Sequence, residues 1–234
     1  MDVWTGDRRV RVISPLDDAL WFERLDGSDG LSRNGEYRVV LLCRRGDLLA
    51  AELLGKPVSV EVELPSGGMR QFNGLAAGFS VLGSRARLHR YLVVLRPWTW
   101  MLTRRSDSRI FQDQTTRQIL QAVFAGHSYA DFRFELTGEY APRPYCVQYR
   151  ETDYHFMARL MEQEGMHHFF EHLDGRHTLV VSDSSRSHAP VPGYERVDFL
   201  EPESGAGLQH EGLQVWTGSA EIQPMRQVLR DYDF

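Results

Sequence analysis

Val58-Ser59-Val60-Glu61-Val62-Glu63-Leu64 alternates apolar and polar side chains with a period of two, the pattern of a strand with one face on a core and the other in water. On either side, Tyr37-Arg38-Val39-Val40-Leu41-Leu42 and Leu88-His89-Arg90-Tyr91-Leu92-Val93-Val94-Leu95 are rich in β-branched and aromatic residues. Gly46-Asp47, Pro65-Ser66-Gly67-Gly68 and Gly83-Ser84 read as the turns between such strands. Short strands at this spacing predict a small antiparallel β-barrel or sandwich over residues 10–100.

Past residue 100 the hydrophobic period changes. Ile119, Leu120, Val123 and Phe124 form one stripe on a helix over 115–125. Thr115 and Gln118 have the spacing of a capping box, and Gly126 stands where a left-handed C-terminal cap is wanted. A second helix over 154–164 repeats the stripe with Phe156, Met157, Leu160 and Met161, starting from Thr152 or Asp153 and ending at Gly165. Residues 166–172 and 177–181 flank Asp174-Gly175, a pair suited to a type I′ turn, and so predict a hairpin with His172 opposite His177. Residues 101–185 are thus expected to be an α+β unit with two short helices against a sheet. From 182 to 218 the chain is polar and rich in Ser, Pro and Gly; strand signals return only at Gly212-Leu213-Gln214-Val215-Trp216 and Gln227-Val228-Leu229-Arg230. The fold class is mixed α+β, mainly β, with 186–234 a loop-rich return.

The composition is that of a globular protein: 234 residues, 42% hydrophobic and 25% charged, which excludes disorder as the main theme. Lys+Arg 27 against Asp+Glu 32 leaves a formal charge of −5, so no nucleic-acid partner is expected. Lys56 is the sole lysine; the remaining basic residues are arginines, whose planar forks suit fixed ion pairs. Residues 1–9 lack an apolar signal region and no run of about 18 apolar residues occurs, so neither a signal peptide nor a membrane span is predicted. Cys43 and Cys146, far apart in sequence, are expected to be buried free thiols in a reducing cytoplasm.

Two short motifs suggest chemistry, and both have the wrong context. His168-Phe169-Phe170-Glu171-His172 spells H-x-x-E-H, which binds zinc only on a helix. Feeding a hairpin, its histidines lie roughly 13 Å apart at about 3.3 Å per residue, and a solvated sheet face is the simpler account of His167, His168, His172 and His177. Gly126-His127-Ser128-Tyr129-Ala130 is close to a serine-hydrolase elbow, but a helix precedes Ser128 and an extended run, 131–136, follows it, the reverse of what the elbow requires. A metal- or serine-dependent hydrolase is therefore the weaker alternative. Arg104-Arg105-Ser106-Asp107-Ser108-Arg109 reads as a solvated loop or an ion-paired corner, and Trp98 and Trp100 beside it as anchors of a domain junction.

Longer blocks carry a resemblance. Arg96-Pro97-Trp98-Thr99-Trp100-Met101-Leu102 and Ser106-Asp107-Ser108-Arg109-Ile110-Phe111-Gln112-Asp113 are similar to the VgrG family, the spike-hub proteins of bacterial type VI secretion. Tyr145-Cys146-Val147-Gln148-Tyr149-Arg150-Glu151-Thr152-Asp153, the helix from Phe156 to Gly165 with Arg159, and Phe169-Phe170-Glu171-His172 resemble the same family in the same order. So do Leu53-Leu54-Gly55-Lys56-Pro57-Val58, Arg70-Gln71-Phe72-Asn73-Gly74 and Leu229-Arg230-Asp231-Tyr232-Asp233-Phe234. The resemblance implies a non-enzymatic, homotrimeric tail hub that stacks on a ring of Hcp-like tube protein and carries an OB-fold module, a needle and effectors. It implies no cofactor, no metal, no catalytic residue and no small-molecule substrate. It also implies residence in the bacterial cytoplasm before export through the type VI apparatus without a signal peptide. Trp98, Trp100, Arg109, Phe111, Gln148, Tyr149, Glu151 and Arg159 match the family stretches and are expected to be structural. Residues 186–234 would begin a second, truncated barrel, and the hub of a phage or phage-like injection machine is the alternative within the same architecture.

Overall fold

The computed structural model describes residues 9–64, 67–188, 191, 194–200, 212–222, 226 and 228. Six strands, β1 (Val10–Ile13), β2 (Trp21–Ser28), β3 (Glu36–Cys43), β4 (Pro57–Glu63), β5 (Met69–Arg85) and β6 (Leu88–Arg96), form one antiparallel sheet in the order β1-β4-β5-β6-β3-β2. The edge strands β1 and β2 approach each other, so the sheet curls into a half-barrel. The alternation that opened the sequence reading sets the orientation of β4. Val58 and Val60 are buried with Val39, Leu41, Tyr91, Val93 and Leu95 in a continuous apolar interior. Each such side chain contributes on the order of 1.5–3 kcal/mol by leaving water.

Strand β5 belongs to two ladders. Met69 to Leu75 pair with β4, and Leu75 to Arg85 pair with β6, with bulges at Ala76/Gly78 and Val81/Gly83. Each bulge adds local bend and twist, which lets one strand follow the curl. Gly83 and Ser84, expected in a turn, lie inside β5; Gly83 supplies the φ of +98° at the bulge, and the turn falls at Ala86.

A 3-10 helix, Trp98–Arg104, leads from β6 into the second half of the body, which holds β7 (Ser106–Phe111), α1 (Thr116–Ala125), β8 (Phe132–Glu135), β9 (Cys146–Thr152), α2 (Asp153–Gln163), β10 (His167–Leu173) and β11 (Arg176–Ser182). Strands β7 and β9 form an antiparallel ribbon; β10 and β11 form the hairpin, and β8 joins β11 in parallel. Trp98, Leu102, the apolar stripes of both helices, Cys146, Met166, Leu179 and Val181 make a second core. Thr115 caps α1 with the full capping box, while Gly126 ends it with φ −72°, not in the left-handed region expected of it, its N–H taken by Val123 O and Phe124 O. Asp174 and Gly175 both have positive φ, 50° and 71°, as a type I′ turn requires. Both cysteines are free and buried. Just past β11, Asp183 accepts the N–H groups of Thr137 and Gly138 and the hydroxyls of Thr137 and Tyr140.

The chain divides into compact units at residues 1–189 and 190–234. In the second, the expected strand at 212–216 is reduced, among the described residues, to a single bridge between Phe199 and Leu213, and its Val215 and Trp216 are exposed. Pro65, Ser66 and the expected strand 227–230 apart from Val228 lie outside the described residues, as does the 229–234 block.

Candidate functional site

The residues singled out in the sequence converge on the ribbon β7–β9 and the start of α2. Arg109 and Gln148 are paired across the ribbon, and Arg109 Nε donates to Gln148 Oε1 at 2.8 Å. Both then reach Asp153, the first residue of α2, which is fully buried: Gln148 Nε2 donates to Asp153 Oδ1 at 2.8 Å, and Arg109 Nη2 donates to the same oxygen. His127 Nε2 lies 3.2 Å from Oδ2 and Arg105 Nε 3.9 Å away. A carboxylate without water needs such compensation on both oxygens, and the partial positive charge of the α2 N-terminus adds to it.

Apolar packing completes the corner. Phe111 stacks on Phe156 with ring centroids 5.7 Å apart and planes 16° from parallel. The guanidinium of Arg109 lies over Phe111 and that of Arg159 over Phe156. Arg159 Nη2 donates to Glu151 Oε1 at 2.6 Å and to the Val147 carbonyl at 3.1 Å. The Glu151 bond is the main reason the Arg159 guanidinium is held above its ordinary value. Tyr149 points out of the ribbon, exposed, with the Arg150 guanidinium over its ring.

Trp98 occupies a different place, where β6 passes into the 3-10 helix. It is fully buried, its indole edge-on to Phe124 at 5.3 Å, with Nε1 donating to the Asp131 carbonyl at 3.0 Å. Trp100, half-buried, carries the Arg104 guanidinium 4.3 Å over its ring. The two tryptophans therefore do not share a site with the ribbon residues. Asp153, the hub of the corner, was legible only as a helix-start residue. The Thr152 side chain takes the cap by accepting the His155 N–H, which leaves the aspartate free to turn inward.

The two chemical motifs come apart. His168, Glu171 and His172 lie on β10, and Glu171 faces away from the histidines to pair with Arg133 at 2.8 Å. The solvated histidine face expected from the hairpin is corrected: His168 is 1% and His177 8% exposed. These two, with His172, share the face that carries Phe170, Leu179 and Val181, and that face is covered by the barrel and the helices, neighbours that periodicity in the hairpin does not reveal. Ser128 is exposed between α1 and β8, and the His127 ring nitrogens are taken by Asp153 and the Tyr129 hydroxyl. Among the described residues no group of three or more His, Cys, Asp or Glu could hold a metal ion, and no helix is long and apolar enough to cross a membrane. The ribbon corner ties two strands to a helix by mutual hydrogen bonds.

Comparison with known proteins fits this architecture. The profile of the phage tail baseplate hub (GPD) family matches residues 28–234. The type VI secretion system spike protein VgrG1a of Pseudomonas aeruginosa is 40% identical over 97% of this chain and 35% of its own length. The actin cross-linking toxin VgrG1 of Vibrio cholerae is 34% identical over 85% of this chain and 18% of its own. The chain thus spans about a third or less of the curated relatives it matches. Among solved structures, the Escherichia coli c3393 protein, described as a type VI secretion component similar to bacteriophage T4 tail proteins gp27 and gp5, superposes with a TM-score of 0.63 at 25% identity, over 79% of this chain and 52% of that one. A tail protein from Neisseria meningitidis has the same fold, with a TM-score of 0.57 at 18% identity over 78% of this chain and 52% of its own.

Proposed function

Since the chain belongs to the phage tail baseplate hub family, we propose that it is the hub portion of a type VI secretion spike, a structural part and not an enzyme. The observation that carries this reading is its 40% identity to spike proteins across 97% of its length. In that role Arg109, Phe111, Gln148, Tyr149, Glu151 and Arg159 act as architecture around Asp153, and Trp98 and Trp100 as anchors between barrel and α+β unit. Three copies assemble as a ring on an Hcp-like tube protein and carry needle and effector modules, and the protein leaves the cytoplasm through the type VI apparatus. Residues 186–234 begin a second barrel. The exposed Val215, Trp216, Ile222 and Val228 support that assignment, because a strand of a completed barrel would bury such side chains.

Light scattering behind a sizing column tests the assembly: a mass three times 27.0 kDa is expected when the hub surfaces meet. Failure of the chain, joined to the remaining modules of its longer relatives, to retain tube protein in a pull-down overturns the spike reading. Membership of the phage tail baseplate hub family favours a second reading, the hub of a phage tail, which the same pull-down separates by using a phage tail-tube protein as bait.

A further inference from the structure

The ladder between β5 and β6 ends at the pair Leu75 and Arg96. Continued by two residues on each strand, its next pair would be Asn73 and Trp98. Neither backbone N–H finds a carbonyl there. Asn73 N–H donates to His172 Nδ1, and Trp98 N–H donates to His177 Nε2, both at 2.9 Å. His172 and His177 are directly opposed in the β10–β11 register, so one face of the hairpin presents both imidazoles to the frayed end of the barrel ladder.

A ring nitrogen that accepts a backbone N–H carries no proton itself. The structure therefore fixes two different neutral tautomers: the proton of His172 sits on Nε2, 3.4 Å from the Tyr37 hydroxyl, and that of His177 on Nδ1. Tyr37 in turn donates to Asp29. Nearby, both ring nitrogens of His168 are buried with no hydrogen-bond partner among the described residues. The hairpin is otherwise tied to the barrel by uncharged groups: Asn73 Nδ2 to the Arg176 carbonyl, Gly175 N–H to Gln71, and Ser32 N–H to the His168 carbonyl.

We propose that His172 and His177, with His168 further along the same face of the hairpin, form an acid-sensitive clasp between the barrel and the α+β unit, closed by neutral imidazoles and opened by their protonation. Charging either ring turns an acceptor into a donor facing another N–H and places a cation among apolar groups. The charged and titratable groups facing the clasp are few. From the barrel side these are Tyr37, Asp29 and Arg70; from the α+β side, Asp131, His167 and the rings themselves. Asp29 and Asp131 favour the charged form and Arg70 opposes it, but burial outweighs them. It holds His168 and His177 down to about 4, and His172 below its ordinary value. Arg133 pairs with both Glu135 and Glu171 on the opposite face of the sheet.

The sign follows from which state binds protons. Unfolded histidines protonate near 6.5 while folded His168 and His177 stay neutral to about 4, so their contribution is complete above pH 6.5 and is lost as pH falls toward 4, and His172, lowered in the same direction, adds to it. With at least two protons taken up on unfolding, the folding equilibrium constant of the full chain should drop by about a hundredfold per pH unit near pH 5. Urea denaturation followed by circular dichroism from pH 7.5 to 4.5 reads this slope. In the double variant His172→Asn, His177→Gln, each amide oxygen stands in for the accepting nitrogen it replaces without titrating. The slope should then fall to about tenfold per unit, the part left by His168. Equal slopes for variant and wild type overturn the proposal. Nitrogen-15 spectra of the wild-type rings decide independently of whether the variant folds. An Nε2–H tautomer for His172 and an Nδ1–H tautomer for His177, with His177 still neutral at pH 5 and His172 titrating below its ordinary value, support the clasp, and a midpoint near 6.5 for either ring in the folded protein overturns it.

Discussion

At the β7–β9 corner a carboxylate is buried among arginines, an amide and a histidine; at the β10–β11 hairpin two imidazoles are buried and a third half-buried beside backbone donors. Asp153 accepts hydrogen bonds from the Arg109 guanidinium and the Gln148 amide, so the corner draws its stability from an ion pair and its hydrogen bonds in a low dielectric. His172 and His177 are held by backbone donors that demand neutrality. The same fold thus closes one joint by charge and another by its exclusion. Mild acid, which leaves the guanidinium groups unchanged, acts directly on the second.

The comparison can be broken most forcefully at Asp153. Replacing Asp153 by Ala strands Arg109 and Gln148 beside a hole, and the unfolding free energy at pH 7.5 should fall by about 3–5 kcal/mol in urea titrations. A loss under about 1 kcal/mol would mean that the corner is not held by this carboxylate. His177→Ala should cost about 1–3 kcal/mol at the same pH, because the buried Trp98 N–H loses its acceptor, and hydrogen exchange at Trp98 should accelerate in step. No change in that amide's exchange would assign its protection to something else.

Asp183 sharpens the contrast with a second carboxylate. Partial burial pushes its pKa up, but the N–H groups of Thr137 and Gly138 and the hydroxyls of Tyr140 and Thr137 outweigh that and hold it well below the usual carboxylate range. Its contribution is present above its ordinary value of 3.8 and is lost only as pH falls below it, a window distinct from that of the histidines. Asp183→Ala should remove about 1–2 kcal/mol at pH 7.5 and flatten the stability curve below pH 4, leaving the slope at pH 5 untouched. The smallest effect is expected at the rim: Arg159→Lys, in a partly exposed pair with Glu151, should change the denaturation midpoint by less than about 1 kcal/mol equivalent.

What the sequence made legible was local. The N-terminal end of α1 and the hairpin turn follow from residues that satisfy nearby backbone groups, and the alternation of β4 fixes which of its valines face inward. Strand β5 gives little strand signal because Gly74, Ala76, Ala77 and Gly78 are small and Gly83 reads as a turn; in the fold Gly74 and Gly78 allow the close approach to β6, and Gly78 and Gly83 lie at its bulges. The corner residues Arg109, Gln148 and Arg159 were found through blocks of resemblance, but nothing in their spacing named Asp153 as the group they share. The histidines were misjudged for the complementary reason. Alternation tells which residues share a face, not what covers that face, and the cover here is strand β5, about 100 residues earlier in the chain.

Strand β5 also has a mechanical consequence. Its 17 residues would span roughly 55 Å when extended. Along that length they are bonded first to β4 and then to β6, with the hairpin clasp at the handover. A pull along the strand axis loads both ladders in shear, so many hydrogen bonds must yield together, whereas a pull across it opens them one at a time. The barrel is therefore stiffest along one line, and the histidine clasp sits at the point on that line where the load passes from one ladder to the other.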